Sequence, residues 1–423
     1  MGHYWPVPTH SVSMTTDDSH SRPRLLILLL ALISLVGYAL RSNITIAQEM
    51  MAPELGLTMS DMGSISAWGF QLLYALFQLP VGILGDRLGA RLVLGLAIAG
   101  WGIASFASGL VGVGSAAFVT LFAARALLGI TQAATYPVGS MAISQAIAPA
   151  GRTTANSIFI STAMVGSALA PLTLAPLMVQ AGWRSVFMAS GVVGLVMAAV
   201  WFVFGPVPRR PPARLASLGT EIKVGLKLLL DRDLFLLSLA YFLHSAVFFV
   251  FVFWFFRYLT DGRGFDILKS GVWGSVPYFT AFLVGPFGGI VADRLGQRLG
   301  VSRARRRVAM TSLVAAASLV MIGANLSNVY LAIGALSLSV GFIGAAEGPF
   351  WATATSLVRT NPGAAGGILN LMGNLGGVVS IWAVPRMRDP LGWTGLFAVW
   401  AGVAIVACLL WLLVRVDREP TAA

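Results

Sequence analysis

Long apolar runs alternate with short polar connections along this chain. The pattern predicts helices near residues 25–47, 62–84, 92–111, 115–147, 153–179, 183–205, 232–259, 268–291, 308–326, 329–357, 364–385 and 393–415. Each run is about 20 residues or more, the length at which a helix crosses the hydrocarbon of a bilayer. Ten-residue alternating segments, the mark of a membrane barrel, are not the pattern here. Inside the runs, polar and aromatic residues recur three and four apart. Gln71, Tyr74 and Gln78 do so, as do Tyr241, His244 and Phe248, Glu347 and Trp351, and Asn370 and Asn374. That spacing puts each set on one helix face. Faces of amides, phenols and rings suit a small hydroxylated or aromatic carboxylate, and amide- and Gly-rich faces also hold helices together.

The connections carry charge unequally. One side receives Arg22, Arg24, Arg87, Arg91, Arg152, the basic cluster of the middle connection (Arg209, Arg210, Arg214, Lys223, Lys227, Arg232), Arg294, Arg298, Arg303, Arg305, Arg306, Arg307, Arg359, Arg415 and Arg418. The other receives only Arg184, Arg257, Arg263, Lys269, Arg386 and Arg388. The positive side is the cytoplasmic one, which puts both termini there.

Composition sharpens the picture. Of 423 residues, 57% are hydrophobic and 10% charged, against roughly 25% charged in soluble domains. Lipid is the solvent for such a chain, and in lipid the backbone must pair internally, so the spans are helices. The formal charge of +12 is spread over loops rather than one soluble face, so no nucleic-acid partner is expected. The single cysteine, Cys408, can form no internal disulfide and reads as a packing residue. The first run is too long for a signal-peptide core and reads as a retained helix. The tail before it carries His3, His10, His20, Asp17 and Asp18 at loose spacing, which reads as disorder rather than a metal site.

The two halves echo each other. Gly85-Asp86-Arg87-Leu88-Gly89 recurs as Ala292-Asp293-Arg294-Leu295-Gly296, 207 positions on. Gly182-Trp183 with Phe187 recurs as Gly392-Trp393 with Phe397 at 210 positions, and Pro137 as Pro349 at 212. The expected organisation is a tail 1–24, a six-helix bundle 25–205, a linker 206–231, a second bundle 232–415 and a tail 416–423. Proteins built from repeats of this kind bind solutes near the midplane between halves that rock against each other.

On these motifs the chain resembles the major facilitator superfamily over nearly its whole length. Gly82 to Arg91 is similar to that superfamily's signature between the second and third helices, with a weaker copy at Gly289 to Arg298. The implied gating residues are Gly82, Gly85, Asp86, Arg87, Gly89, Arg91, Asp293 and Arg294. A finer resemblance is to the anion:cation symporter branch, which takes up organic anions such as sugar acids. It rests on Gly37-Tyr38-Ala39-Leu40-Arg41, on Tyr74 with Gln78 and Pro80, and on Arg125 with Gly129, Tyr136 and Pro137. Trp254 with Arg263-Gly264-Phe265, and Asn370 with Gly373-Asn374, complete it. The resemblance implies an all-α fold of twelve transmembrane helices in two pseudo-symmetric bundles.

Charges deep in a membrane are costly and tend to be functional. Arg41, Arg125 and Glu347 are those this chain carries most clearly. Arg41 shares a helix face with Tyr38 and Thr45 and suits a carboxylate through its guanidinium fork. Arg125 shares a face with Gln132 and lies near Tyr136; in relatives the corresponding arginine meets an acid of its own helix and the substrate region. Proton-coupled members carry an acid before the first-helix arginine and another in the fourth helix. Leu40 and Gln132 stand here, and neither titrates. Glu347 and His244 remain as titratable groups, with Glu347 the coupling candidate. The expected substrate-binding set is Tyr38, Arg41, Tyr74, Gln78, Arg125, Gln132, Tyr136, His244, Trp351, Asn370 and Asn374.

No metal cluster, no nucleophile with its base and no phosphate loop is legible, so an enzyme or ATP-driven pump is not expected, and no cofactor. The expectation is a monomeric secondary transporter of the bacterial inner membrane. It imports a small organic anion, with a proton or sodium ion as coupling ion. An exporter of drugs or metabolites and a non-transporting solute sensor are the rival classes.

Overall fold

The computed structural model describes residues 23–205, 227–265, 267–358 and 360–416. The tail histidines and most of the expected linker (206–226), with its arginines, lie outside them, as do Arg359 and Arg418. The described chain is helical throughout its long elements. These are α1 (Pro23–Leu55), α2 (Asp61–Leu88), α3 (Ala90–Gly109), α4 (Ala117–Ala146), α5 (Arg152–Ala181) and α6 (Trp183–Phe204). Then follow α7 (Arg232–Gly262) and α8 (Val272–Leu299), α9 (Val301–Asn325) and α10 (Val329–Leu357). Continuous helix from Pro362 to Leu413 breaks its geometry at Gly392 and so makes α11 (362–391) and α12 (393–413).

Local chemistry sets the ends. Thr58 and Asp61 form a reciprocal capping box at the start of α2. The side chains of Asp231 and Asn328 accept the first free N–H groups of α7 and α10. Gly89 and Gly300 both take φ near +85° (87° and 84°), which lets α2 pass into α3 and α8 into α9 with one residue between. That second turn differs from expectation. The stretch 292–307 reads as a basic loop, yet it is helix on both sides of Gly300. Arginine is a good helix former, and Arg305 is buried. Its Nε donates to Thr153 Oγ1 (3.0 Å), Nη1 to Ser356 Oγ (2.9 Å) and the Ala352 carbonyl (3.0 Å), and Nη2 to the Pro149 carbonyl (3.0 Å).

Large apolar side chains such as Leu96, Ile103, Val196, Leu283 and Leu412 stand exposed along the helices, as a lipid-facing surface requires. The two halves meet along α2–α11 and α5–α8, pairs that exchange under the internal repeat. At the end bearing the α2–α3 and α8–α9 turns they share one buried core, in which Leu30, Phe159 and Trp201 belong with Leu234, Phe350 and Trp411. At the opposite end the cores are separate. One is built on Met51, Leu121 and Phe187, the other on Phe251, Tyr258 and Phe397.

Candidate functional site

Where the shared core gives way to the separate ones, side chains of α1, α2, α4, α7, α10 and α11 converge. Arg41, part-buried on α1, lies against the rings of Phe70, Tyr74 and Tyr38, its guanidinium carbon 4.7, 5.0 and 5.4 Å from their centroids. Its Nη2 donates to Gln71 Oε1 at 2.6 Å. Gln71 Nε2 donates to Asn374 Oδ1 (3.1 Å), Asn374 Nδ2 to Asn370 Oδ1 (3.3 Å) and Asn370 Nδ2 to Gln78 Oε1 (2.8 Å) and Tyr74 OH (3.5 Å). A chain of amides therefore runs from Arg41 across the boundary between the halves and back to α2. Beside it a cavity of about 10 Å³ is lined by Ser34, Tyr38, Arg41, Tyr74, Gln132 and Tyr136, among others. That is the room of about one water.

A second cluster lies in the other half. Tyr241 OH donates to Glu347 Oε2 (2.9 Å) and accepts from Trp351 Nε1 (3.1 Å). His244 stacks on Tyr241 (centroids 5.4 Å apart), with Nδ1 3.8 Å from Glu347 Oε1 and Nε2 bonded to the Ile343 carbonyl at 2.9 Å. Tyr136 bridges the clusters, its ring 5.9 Å from Trp351 and 6.2 Å from Tyr38. Its hydroxyl pairs with Ser34 at 3.2 Å. Gln132 donates to the Gly37 carbonyl (2.9 Å) and ties α4 to α1.

Arg125 stands apart from this convergence. It is 1% exposed, donates to Asn43 Oδ1 (3.0 Å) and packs on Phe187 at 5.1 Å. Those contacts, to α1 and α6, lie inside the first six helices. Its hydrogen-bond acceptor is an amide oxygen rather than a carboxylate.

The end with the shared core is latched twice. Asp86 Oδ1 and Oδ2 accept the N–H groups of Gly363 and Ala364 at 2.9 Å each, at the start of α11. Asp293 Oδ2 accepts the N–H (2.8 Å) and hydroxyl (2.7 Å) of Thr154, at the start of α5. Each carboxylate meets unpaired N–H groups and the positive end of a helix dipole in the opposite half. Gly82 and Gly363 allow the approach, since a Cβ on either would collide with the other's carbonyl oxygen. Gly85 faces Val138, and Arg91 donates to the carbonyls of Gly205 (3.1 Å) and Phe202. Arg87 is half-buried and Arg294 exposed, both at the same end.

The model of the family described as "Major Facilitator Superfamily" matches residues 27–381. The chain belongs to the Major Facilitator Superfamily. It is a multi-pass membrane transport protein, not an enzyme. It is 28% identical to the "Probable galactarate/D-glucarate transporter GudP" of Escherichia coli K12, over 94% of this chain and 95% of that one. It is 27% identical to the "Hexuronate transporter" of Bacillus subtilis, over 90% and 92%, and 27% identical to the "D-galactonate transporter" of an E. coli O6:H1 strain, over 94% and 96%. Among solved structures it shares its fold with the E. coli transporter FucP in the outward conformation, with TM-score 0.72, 14% identity, and 93% and 99% of the chains covered.

Sequence reasoning placed Gln71 on a polar face but left it out of the binding set, although it is the direct partner of Arg41. Its three-and-four spacing with Tyr74 and Gln78 was the available signal. Asn43 and Ser34, the partners of Arg125 and Tyr136, gave none, because a single small polar residue in an apolar helix of a major facilitator is common in packing interfaces.

Proposed function

We propose that this major facilitator imports small sugar-acid carboxylates across the bacterial inner membrane, together with a cation, by alternating access. The observation that carries the reading is Arg41. A guanidinium held among aromatic faces at the junction of the halves suits a carboxylate. The amides of Gln78, Asn370 and Asn374 and the hydroxyls of Tyr38, Tyr74 and Tyr136 around it suit the hydroxyls of a sugar acid. The names of the relatives, transporters of galactarate, glucarate, hexuronates and galactonate, support the same substrate class.

Two units, 25–205 and 232–415, rock about the linker 206–231. The latches at Asp86 and Asp293 close the cytoplasmic end, to which the arginine bias assigns the termini. Glu347 is the coupling residue, since Leu40 and Gln132 cannot exchange a proton. The groups facing it are Tyr241 and His244 from α7 and Trp351 on its own helix, with Tyr136 beyond Trp351. A monomer suffices, because the site lies within one chain. The aromatic face of α7, on which Phe253 and Phe256 stand exposed, gives the exporter reading its support.

The test is thermal stabilisation of the purified protein by D-glucarate, D-galactonate and D-galacturonate against the matching neutral sugars, repeated with Arg41→Ala. A bound ligand raises the melting temperature by mass action. Stabilisation by a carboxylate that vanishes in the variant supports the proposal, and radiolabelled uptake then separates a transporter from a sensor. Stabilisation by neutral compounds alone overturns it.

A further inference from the structure

Arg41 already holds an oxygen ligand. At 2.6 Å, Gln71 Oε1 sits at the distance of a charge-assisted hydrogen bond, on the guanidinium that the substrate reading assigns to a carboxylate. Among the described residues no carboxylate forms an ion pair with Arg41; its charge meets ring faces and this neutral amide. The other arm of Gln71 reaches Asn374 across the boundary between the halves. One side chain thus occupies the anion-binding group and ties α2 to α11.

The backbone under Gln71 is unusual as well. Ile65–Leu72 is wound as a π-helix, with more residues per turn than the α-helix on either side. Gly129 of α4 abuts the carbonyl of Phe70, so the turn is clamped immediately before Gln71. The widened turn aims Gln71 between Arg41 and Asn374. Rewinding it to α geometry would rotate the amide off both partners.

We propose that Gln71 is a self-ligand of the anion site and determines its affinity. Its carboxamide oxygen occupies the guanidinium edge that a substrate carboxylate takes. Arrival of the carboxylate, the stronger acceptor, displaces it and releases the tie to Asn374. Binding is thereby weakened by an internal competitor, and occupancy of Arg41 is linked to contact between the halves. This rests on the proposed role of Arg41 in carboxylate binding.

Calorimetric titration of the purified full chain with D-galactonate and D-glucarate tests it, using wild type, Gln71→Ala, Gln71→Glu and Arg41→Ala. Removing the competitor in Gln71→Ala lowers Kd about tenfold, the size of one hydrogen bond to a charged group. Gln71→Glu, of nearly the same shape, gives Arg41 a permanent internal carboxylate and raises Kd by at least about tenfold. Melting temperatures of the unliganded variants verify that each is folded. Weaker or unchanged binding by Gln71→Ala overturns the proposal, weaker binding making Gln71 an ordinary substrate contact, while loss of binding in Arg41→Ala leaves the substrate reading intact. If wild type binds neither anion, and Arg41→Ala and Gln71→Ala do not either, the substrate reading fails and this inference falls with it.

Discussion

Asp86 accepts the backbone N–H of Gly363 at 2.9 Å, across 277 positions of sequence. A carboxylate at the end of one helix thereby closes the open N-terminus of a helix in the other half. Asp293 repeats the arrangement on Thr154. Each is a charge-assisted bond between the two halves, of a class worth about 1.5–3 kcal/mol. Asp86→Asn keeps the shape and removes the charge. It is expected to shift the population toward states open at this end by about tenfold or more. Distances between spin labels at Leu88 and Thr360, in a Cys408→Ala background, report the shift as a longer component. Distributions matching wild type would mean that the latch does not set this equilibrium.

Gly82→Ala tests the close approach itself. The added methyl would meet the Gly363 carbonyl, so it strains the closed end, with a cost of about 1–3 kcal/mol for an overpacked contact. Where the end is open, the methyl meets nothing from α11. Uptake should fall steeply while the purified variant still melts cooperatively. Uptake equal to wild type would show that the helices can part by an ångström without consequence.

Glu347→Gln retains an acceptor for the Tyr241 hydroxyl and removes the exchangeable proton. Initial rates of uptake in proteoliposomes between about pH 5 and 8 should vary with pH in wild type and be flat in the variant. A variant that keeps the wild-type profile places the coupling group elsewhere, and His244→Gln is then the next substitution to measure.

At the opposite end, Glu54 of α1 accepts from Trp183 Nε1 at 2.6 Å and pairs with Arg184, both from α6. The indole hydrogen bond first, then Arg184, holds its carboxyl below the usual carboxylate range. A lowered folded value means that this tie contributes fully above the unfolded carboxylate pKa and is lost as pH falls through the folded one. The pair is half exposed, so the effect is under about 1 kcal/mol. The melting temperature of wild type should fall more steeply from pH 6 toward about pH 3 than that of Glu54→Gln. Parallel curves would assign the acid-side slope to other carboxylates.

The helices and the repeat were legible in the sequence because both are local. A run of apolar residues long enough to cross a bilayer has few alternatives, and a duplicated Gly-Asp-Arg turn stays recognisable after the flanking residues diverge. The basic stretch 292–307 reads as a loop for the same reason, although it is helix on both sides of Gly300. Arginine density marks a loop when only local polarity is weighed, whereas the buried Arg305 is satisfied by Thr153, Pro149, Ala352 and Ser356, partners that only the folded chain supplies. The candidate site was legible as faces but not as pairings. Tyr74, Gln78, Asn370 and Asn374 stood in the expected set, yet nothing local tells Asn374 from Asn370 as the partner of Gln71.

By itself, then, the sequence determined the solvent of this protein, its membrane-crossing helices, its duplication and its superfamily, since hydropathy and short motifs act over a few turns of helix. The tertiary structure decided which charges face which. It set Arg41 against Gln71, Arg125 against Asn43 and Asp86 against the start of α11. Those choices depend on close helix approach at Gly82, Gly129 and Gly363. Distances of a few ångströms between segments far apart in the chain are set by packing, which no local pattern encodes.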